Sequence, residues 1–240
     1  MAGIRVLGIN GSARKYGNSF KMLWIALKAA EDEGAETEII HLYDYKLILC
    51  MACYSDNLYE CYYPKRCPLG LEDQYHEIAE KILSSHAVIF STPVYWFMAS
   101  AAVKTLVERM TGMENMLYHI GKSLLDGKVA GIIAVGEETG ATMALSWLML
   151  TLNMMGFHIP AWATVYYHGK GDAMDNEQAV LDAYNLGRNV ARLAKILAGK
   201  VDGEPWYSLD YRSRARQLAE EAKKTAMNNR EAARRDRPWL

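Results

Sequence analysis

A chain of 240 residues suits one large domain or one domain with an appendage, and with 51% hydrophobic and 23% charged residues it can bury a core without disulfide staples. The net charge of −1 argues against an extended nucleic-acid-binding face, and no run of about 18 apolar residues offers a transmembrane helix. The N-terminus, MAGIRVLGINGS, lacks a basic segment leading into a long apolar one, so no signal peptide is expected and the expected compartment is the cytoplasm.

Residues 3–9, GIRVLGI, are rich in β-formers and predict a first strand. A polar loop from Asn10 to Asn18 follows, then a helix from near Ser19 to Gly34 that aligns Leu23, Leu27 and Ala30. A second strand is predicted over 37–43, a helix over 71–84, and a buried strand over 86–92 ended by Pro93. Then come a helix over 99–110, a strand over 128–135, a helix over 141–155, a fifth strand over 161–167 and a long helix over 176–198. Strands alternating with helices imply a parallel sheet covered on both faces, a doubly wound α/β domain.

The cysteine total is ordinary but its placement is not. Cys50, Cys53, Cys61 and Cys67 all fall in one short segment with no clean periodicity. Disulfide frameworks belong to small secreted domains, so a local cluster here points first to metal or redox chemistry. The six histidines are scattered and read as ordinary core or surface residues. From Arg212 onward nine Lys/Arg face four Asp/Glu, giving a +5 tail and leaving −6 on the rest. A solvated basic helix packed on the body or on a neighbouring subunit is the plain reading of that tail, and binding of nucleic acid or an acidic partner the other.

Ligands of open α/β sheets sit beyond the carboxyl ends of the strands, so the loops there carry the search. The first runs from Asn10 through Gly11, Ser12, Ala13 and Arg14 to Asn18 and Ser19. Hydroxyls, an amide and a guanidinium stand where a helix N-terminus can bind phosphate. A plain polar turn is the alternative. The second, Ser91 to Met98, places Tyr95, Trp96 and Phe97 where they could wall a flat ring, or else pack in a subunit interface. The third, Gly136-Glu137-Glu138-Thr139-Gly140, permits close backbone approach but suits any tight turn.

GINGSARKYGNS, the cysteine segment, FSTPVYW and VGEETG together resemble the NAD(P)H-dependent FMN reductases and iron–sulfur flavoproteins of the flavodoxin-like fold, over roughly residues 3–198. The resemblance implies a five-stranded parallel sheet in the order 2-1-3-4-5 with a C-terminal helical extension. It implies an FMN-binding domain over 1–200 with a cysteine-rich insertion at 50–67, and a basic tail over 201–240. Ser12, Arg14, Asn18 and Ser19 would hold the FMN phosphate, with Asn10 in the same loop. Thr92, Pro93, Val94, Tyr95, Trp96 and Phe97 would border the isoalloxazine, and Gly136, Glu137, Thr139 and Gly140 would close its far side. Asn10 departs from the Ser that relatives often carry, and Ala13 from their Pro.

Four thiolates can complete a 4Fe–4S site, and Lys65 and Arg66 would offset its negative charge. The spacing Cys50-x2-Cys53-x7-Cys61-x5-Cys67 is wider between the second and third cysteines than in the iron–sulfur flavoproteins, so a longer loop must fold Cys61 back. A zinc site and metal-free thiols are the alternatives. The expected activity is electron transfer by FMN from NAD(P)H or a ferredoxin-type donor to a small-molecule acceptor, in a homodimer or homotetramer. Hydride transfer to a flavin needs no side-chain acid or base, so no catalytic residue is assigned. A reductase without a cluster, and a non-catalytic electron carrier docking through its tail, are the rival readings.

Overall fold

A computed structural model describes residues 3–65, 67 and 73–199. The fold is that of the first of two units, Met1–Trp206. Arg66, the start of the helix expected at 71, and the basic tail over 201–240 lie outside the described residues.

The elements are β1 (Arg5–Asn10), α1 (Asn18–Asp32), β2 (Glu36–His41), α2 (Tyr75–Ser84), β3 (Ala87–Tyr95), β4 (Met98–Ala99), α3 (Ala101–Arg109), α4 (Thr111–Glu114), α5 (Leu117–Ile120), β5 (Val129–Gly136), α6 (Ala141–Met154), β6 (Thr164–His168) and α7 (Glu177–Ala198). The long strands form a parallel sheet in the order β2-β1-β3-β5-β6, with β4 paired antiparallel to β3. Counting the five long strands alone, this is the expected 2-1-3-4-5 order.

Two cores sandwich the sheet, and period-2 alternation assigns the strand residues between them. Leu7, Ile9, Val88, Phe90, Ala130 and Ile132 pack on one face with α2, α3 and α6. Val6, Ala87, Ile89, Val129 and Ile133 pack on the other with Met22, Leu23 and Leu27 of α1 and Leu186 and Val190 of α7. Central strands buried on both faces read as continuous apolar runs, which is why the sequence exposes them so clearly.

The structure departs from expectation at several ends. β3 does not stop at Pro93 but continues to Tyr95. The Ser91 carbonyl accepts from the Gly11 amide, so Ser91 and Pro93, two residues on, both turn their backbone polar groups toward β1. Pairing with β1 ends at Asn10↔Ser91, so the N–H that proline lacks has no ladder partner to lose. β6 begins at Thr164 rather than 161, because a turn closes from the Ala163 amide to the Pro160 carbonyl with Trp162 left-handed at φ 60°. The hairpin to β4 and the short helices α4 and α5 were not anticipated. No helix among the described residues is long and apolar enough to cross a membrane.

Candidate functional site

At the carboxyl edge of the sheet, beside the β1–β3 switch point, four loops enclose a cavity of about 650 Å³, within the range of small-molecule and cofactor sites. Ser12, Arg14, Gly17, Asn18, Ser19 and Lys21 line one side. Pro93, Val94 and Tyr95 line the middle. Val135, Gly136, Glu137 and the run Gly169–Asp172 line the other side.

The first loop is held from beneath. Gly11 sits where any Cβ would lie 2.1 Å from Val103 Cγ2, so only glycine lets the loop settle on α3. The Ser100 hydroxyl, which also caps α3, donates to the Gly11 carbonyl at 2.7 Å. Gly17 is the N-cap of α1 and brings no side-chain cap, and the first turn carries no acid. The helix start therefore keeps its donors and its positive dipole end for an outside anion, with the Arg14 guanidinium beside it. Asn18 ties this start to the loop after β6: its Nδ2 donates to the Gly171 carbonyl at 2.8 Å and its Oδ1 accepts from the Ala173 amide. Lys21 is ion-paired with Asp172 across the same seam.

Nine expected residues meet at this cavity: Ser12, Arg14, Asn18, Ser19, Pro93, Val94, Tyr95, Gly136 and Glu137. Six others are not among its lining residues. Asn10 is wholly buried and braces the loop: its Nδ2 donates to the Lys15 carbonyl and to His41 Nδ1, both at 2.9 Å, and its Oδ1 accepts from the Ser12 amide. The Thr92 hydroxyl accepts from the Ser100 amide and donates to the Pro93 carbonyl, fixing the hairpin. Trp96 and Phe97 are the two-residue tip of the β3–β4 hairpin, both left-handed at φ 50° and 68°. Hairpin twist demands that conformation, but glycine or asparagine usually supplies it. Trp96 is 92% exposed. Phe97 packs on Gly140, where a Cβ would lie 2.7 Å from the Phe97 Cα and where φ is +91°. Thr139 is exposed beside it.

Sequence reasoning missed the loop after β6. Its signal was present as HGKGD directly after the fifth strand, the same strand-then-glycine pattern used for the other loops. His41 and His168, read as ordinary residues, anchor loops. Besides the His41 bond to Asn10, His168 Nε2 accepts from the Ala141 amide at 3.1 Å, capping α6.

A second cavity is lined by all four cysteines, with Tyr75 and His76 of α2, Glu108 and Arg109 at the end of α3, and Gly112 of α4. Two single-turn 3-10 helices, Cys53–Ser55 and Leu58–Glu60, fold the seven-residue gap so that Cys61 returns to the others. Asn115, 2% exposed, secures that return: its Nδ2 donates to the Leu58 carbonyl at 2.5 Å and to the Cys61 carbonyl at 2.7 Å. The Tyr63 amide donates to the Gly112 carbonyl. All four thiols are free of disulfides. Burial first, then the thiols of Cys53, Cys50 and Cys67, push the Cys61 thiol up to about 11.

The positive charge at this cavity is buried. Arg109 is clamped by Asp73 through Nη1 at 2.7 Å and Nη2 at 3.2 Å, and Nη1 also donates to the Ile48 carbonyl. Burial works against the Asp73 carboxylate, but Arg109 and the amides of Ile48 and Tyr75 outweigh it and hold its pKa below 3.8. Lys65, expected to offset charge at the cysteines, lines the cavity but is ion-paired with Glu60. The buried Arg109–Asp73 pair was not foreseen, since 36 residues separate its members.

Among the described residues no three His, Cys, Asp or Glu side chains are grouped so as to hold a single metal ion. Four convergent thiols, a buried guanidinium and a buried Tyr75 hydroxyl with no partner among the described residues nevertheless fit a larger thiolate-bound group. The first cavity, with its uncapped helix start and Arg14, fits a phosphate-bearing cofactor.

A family model described as NADPH-dependent FMN reductase matches residues 4–170. An iron-sulfur flavoprotein of Methanocaldococcus jannaschii is 31% identical over 207 residues, covering 81% of this chain and 99% of its own length. The 8-demethyl-8-aminoriboflavin-5'-phosphate synthase of Streptomyces davaonensis is 25% identical over 144 residues, 60% of this chain and 54% of its own. Among solved structures, RosB with bound 8-demethyl-8-formylriboflavin-5'-phosphate superposes with a TM-score of 0.72 at 22% identity, over 91% of this chain and 88% of its own. An archaeal flavodoxin superposes at 0.53 with 11% identity, over 80% of this chain and 99% of its own. These two show a shared flavodoxin-like fold. Because the family model spans every loop of the first cavity up to Lys170, the chain belongs to the NADPH-dependent FMN reductase family and is a flavin-dependent oxidoreductase.

Proposed function

We propose that the protein is an iron–sulfur flavoprotein that passes electrons between NAD(P)H or a reduced ferredoxin, a 4Fe–4S cluster on Cys50, Cys53, Cys61 and Cys67, and FMN at the sheet edge. The observation that carries this reading is the convergence of all four cysteines on one cavity in a chain of the FMN reductase family. When bound, FMN supplies both hydride and single-electron chemistry, so it can link a two-electron donor to a one-electron centre.

The chain's own residues bind and orient. The amides at the start of α1, with Ser12 and Arg14, would hold the FMN phosphate. Pro93, Val94 and Tyr95, with Gly136 and Glu137, would hold the flavin ring. Arg109, held by Asp73, lines the cavity beside the thiols and would share its positive charge between that carboxylate and a thiolate-bound group. One short helix joins the two places. Ser100, the N-cap of α3, holds the first loop, and Arg109, its last residue, lines the cysteine cavity. Nine residues of α-helix span about 13 Å.

We also propose that the chain assembles as a homodimer or homotetramer. Met143, Leu150 and Met154 of α6 are 56%, 62% and 84% exposed on a helix that is apolar nearly all round, which supports burial of that face by another copy. Sedimentation velocity distinguishes the assembled from the monomeric chain.

The deciding experiment for the cofactors is a visible spectrum with iron and acid-labile sulfide analysis of anaerobically purified protein. Flavin bands with about four iron and four sulfide per chain are expected. Flavin without iron would overturn the cluster and leave a plain FMN reductase.

A further inference from the structure

Tyr75 is the first residue of α2 and only 5% exposed. Its hydroxyl oxygen is buried with no hydrogen-bond partner among the described residues. Buried polar atoms are rarely left in that condition, and each one calls for an explanation. The side chain is firmly held. The Arg109 guanidinium lies over the ring at 4.7 Å, and the Tyr75 amide donates to Asp73 Oδ1 at 2.7 Å while Asp73 is clamped by Arg109. The scaffold therefore commits two charged groups, Arg109 and Asp73, to hold a phenol whose own donor is unspent. Tyr75 lines the cavity shared by Cys50, Cys53, Cys61 and Cys67.

We propose that the Tyr75 hydroxyl donates a hydrogen bond to a sulfur atom of the thiolate-bound cluster held by those four cysteines, and so makes that cluster easier to reduce. The proposal rests on the iron–sulfur reading above. Its physical basis is the charge change on reduction. An added electron places more negative charge on the sulfurs, so a donor pointed at sulfur binds the reduced state more tightly than the oxidised one. Arg109 contributes charge from beside the ring, but directs Nη1 and Nη2 at Asp73 and the Ile48 carbonyl. Tyr75 is thus a positioning and tuning residue rather than a ligand.

The test is Tyr75→Phe in the anaerobically purified holoprotein. Phenylalanine keeps the ring that carries Arg109 and removes only the hydroxyl. Iron, sulfide and FMN per chain should equal the wild type, while the midpoint potential, followed by electron paramagnetic resonance during a redox titration, should fall. A tenfold change in the reduced-to-oxidised ratio corresponds to 59 mV for one electron, and a drop of about that size is expected. An unchanged potential at full cluster content would overturn the proposal. Replacing the phenol by 3-fluorotyrosine at position 75 gives an independent reading of opposite sign. Its more acidic hydroxyl should raise the potential, and a fall or no change counts against the idea even where the phenylalanine variant fails to assemble. Wild-type protein without iron would overturn the cluster reading itself, and this proposal with it, before any variant is made.

Discussion

Asn10 Nδ2 donates to His41 Nδ1 at 2.9 Å, joining the ends of β1 and β2 beneath the first loop. With its second hydrogen on the Lys15 carbonyl and its Oδ1 taken by the Ser12 amide, Asn10 has no freedom to turn. His41 must therefore accept, which only the neutral ring can do at that nitrogen. Burial first, then Lys15, lowers the His41 pKa from 6.5, with Asp44 pulling the other way.

A pH dependence follows. The folded state resists the proton, so below about 6.5 the unfolded chain takes it first, and stability falls as pH drops through the lower folded value. FMN affinity should be flat above that range and weaken below it. His41→Phe should cost about 1 kcal/mol, roughly fivefold in affinity, and abolish this component of the pH dependence. Fluorescence titration with FMN from pH 5 to 8 (on the order of the histidine range) measures it.

Arg14→Ala should weaken FMN binding by about tenfold or more, since a charge-assisted bond to phosphate contributes about 1.5–3 kcal/mol. Riboflavin, which lacks the phosphate, should lose little. Equal losses for the two ligands would place Arg14 elsewhere than at the phosphate.

The Trp96–Phe97 turn holds two aromatic residues in the left-handed region. Such a conformation costs about 1–2 kcal/mol per residue, and Trp96, 92% exposed, recovers little by packing. Trp96→Gly should raise stability by about 1 kcal/mol in urea denaturation. Strain retained at an exposed tryptophan next to Tyr95 of the sheet-edge cavity points to a use for it, so a lower turnover in the same variant is the expected companion.

Asp73 and Arg109 are 2% and 5% exposed at their side chains. Asp73→Asn leaves a buried guanidinium uncompensated and should cost about 3–5 kcal/mol. With its folded pKa below 3.8, Asp73 stabilises the native state fully above 3.8, and that contribution is lost as pH falls through the folded value. Acid denaturation of the wild type and the variant should converge at the lowest pH.

Asn115→Ala removes both bonds that return Cys61 to the cavity. Two lost hydrogen bonds at half-buried carbonyls cost about 2 kcal/mol. Iron per chain should drop while FMN content holds, because the cavity at the sheet edge, where FMN is proposed to bind, shares no residue with this loop. Parallel loss of FMN would mean a general unfolding instead.

The alternation of apolar strands and amphipathic helices, the first loop and the cysteine group were all determined by the sequence alone. Each is a local signal: a two-sided buried strand such as Ala87–Phe90 must be apolar throughout, and an anion site at a helix start must be built from neighbours in the chain. What only the tertiary structure decided is which side chains turn toward a ligand and which are consumed in holding the loops. Asn10 looked like a ligand contact and is a brace: Ser12 and Lys15 in its own loop and His41, 31 residues away, take up its amide. The Gly169–Asp172 wall joins the site only because β6 pairs beside β5, and Asn18 reaches it across 153 residues. The widened Cys53–Cys61 gap is folded by its own two short helices and pinned by Asn115, 54 residues beyond Cys61. Side-chain orientation depends on contacts made after the chain has folded, and no spacing within a single loop records them.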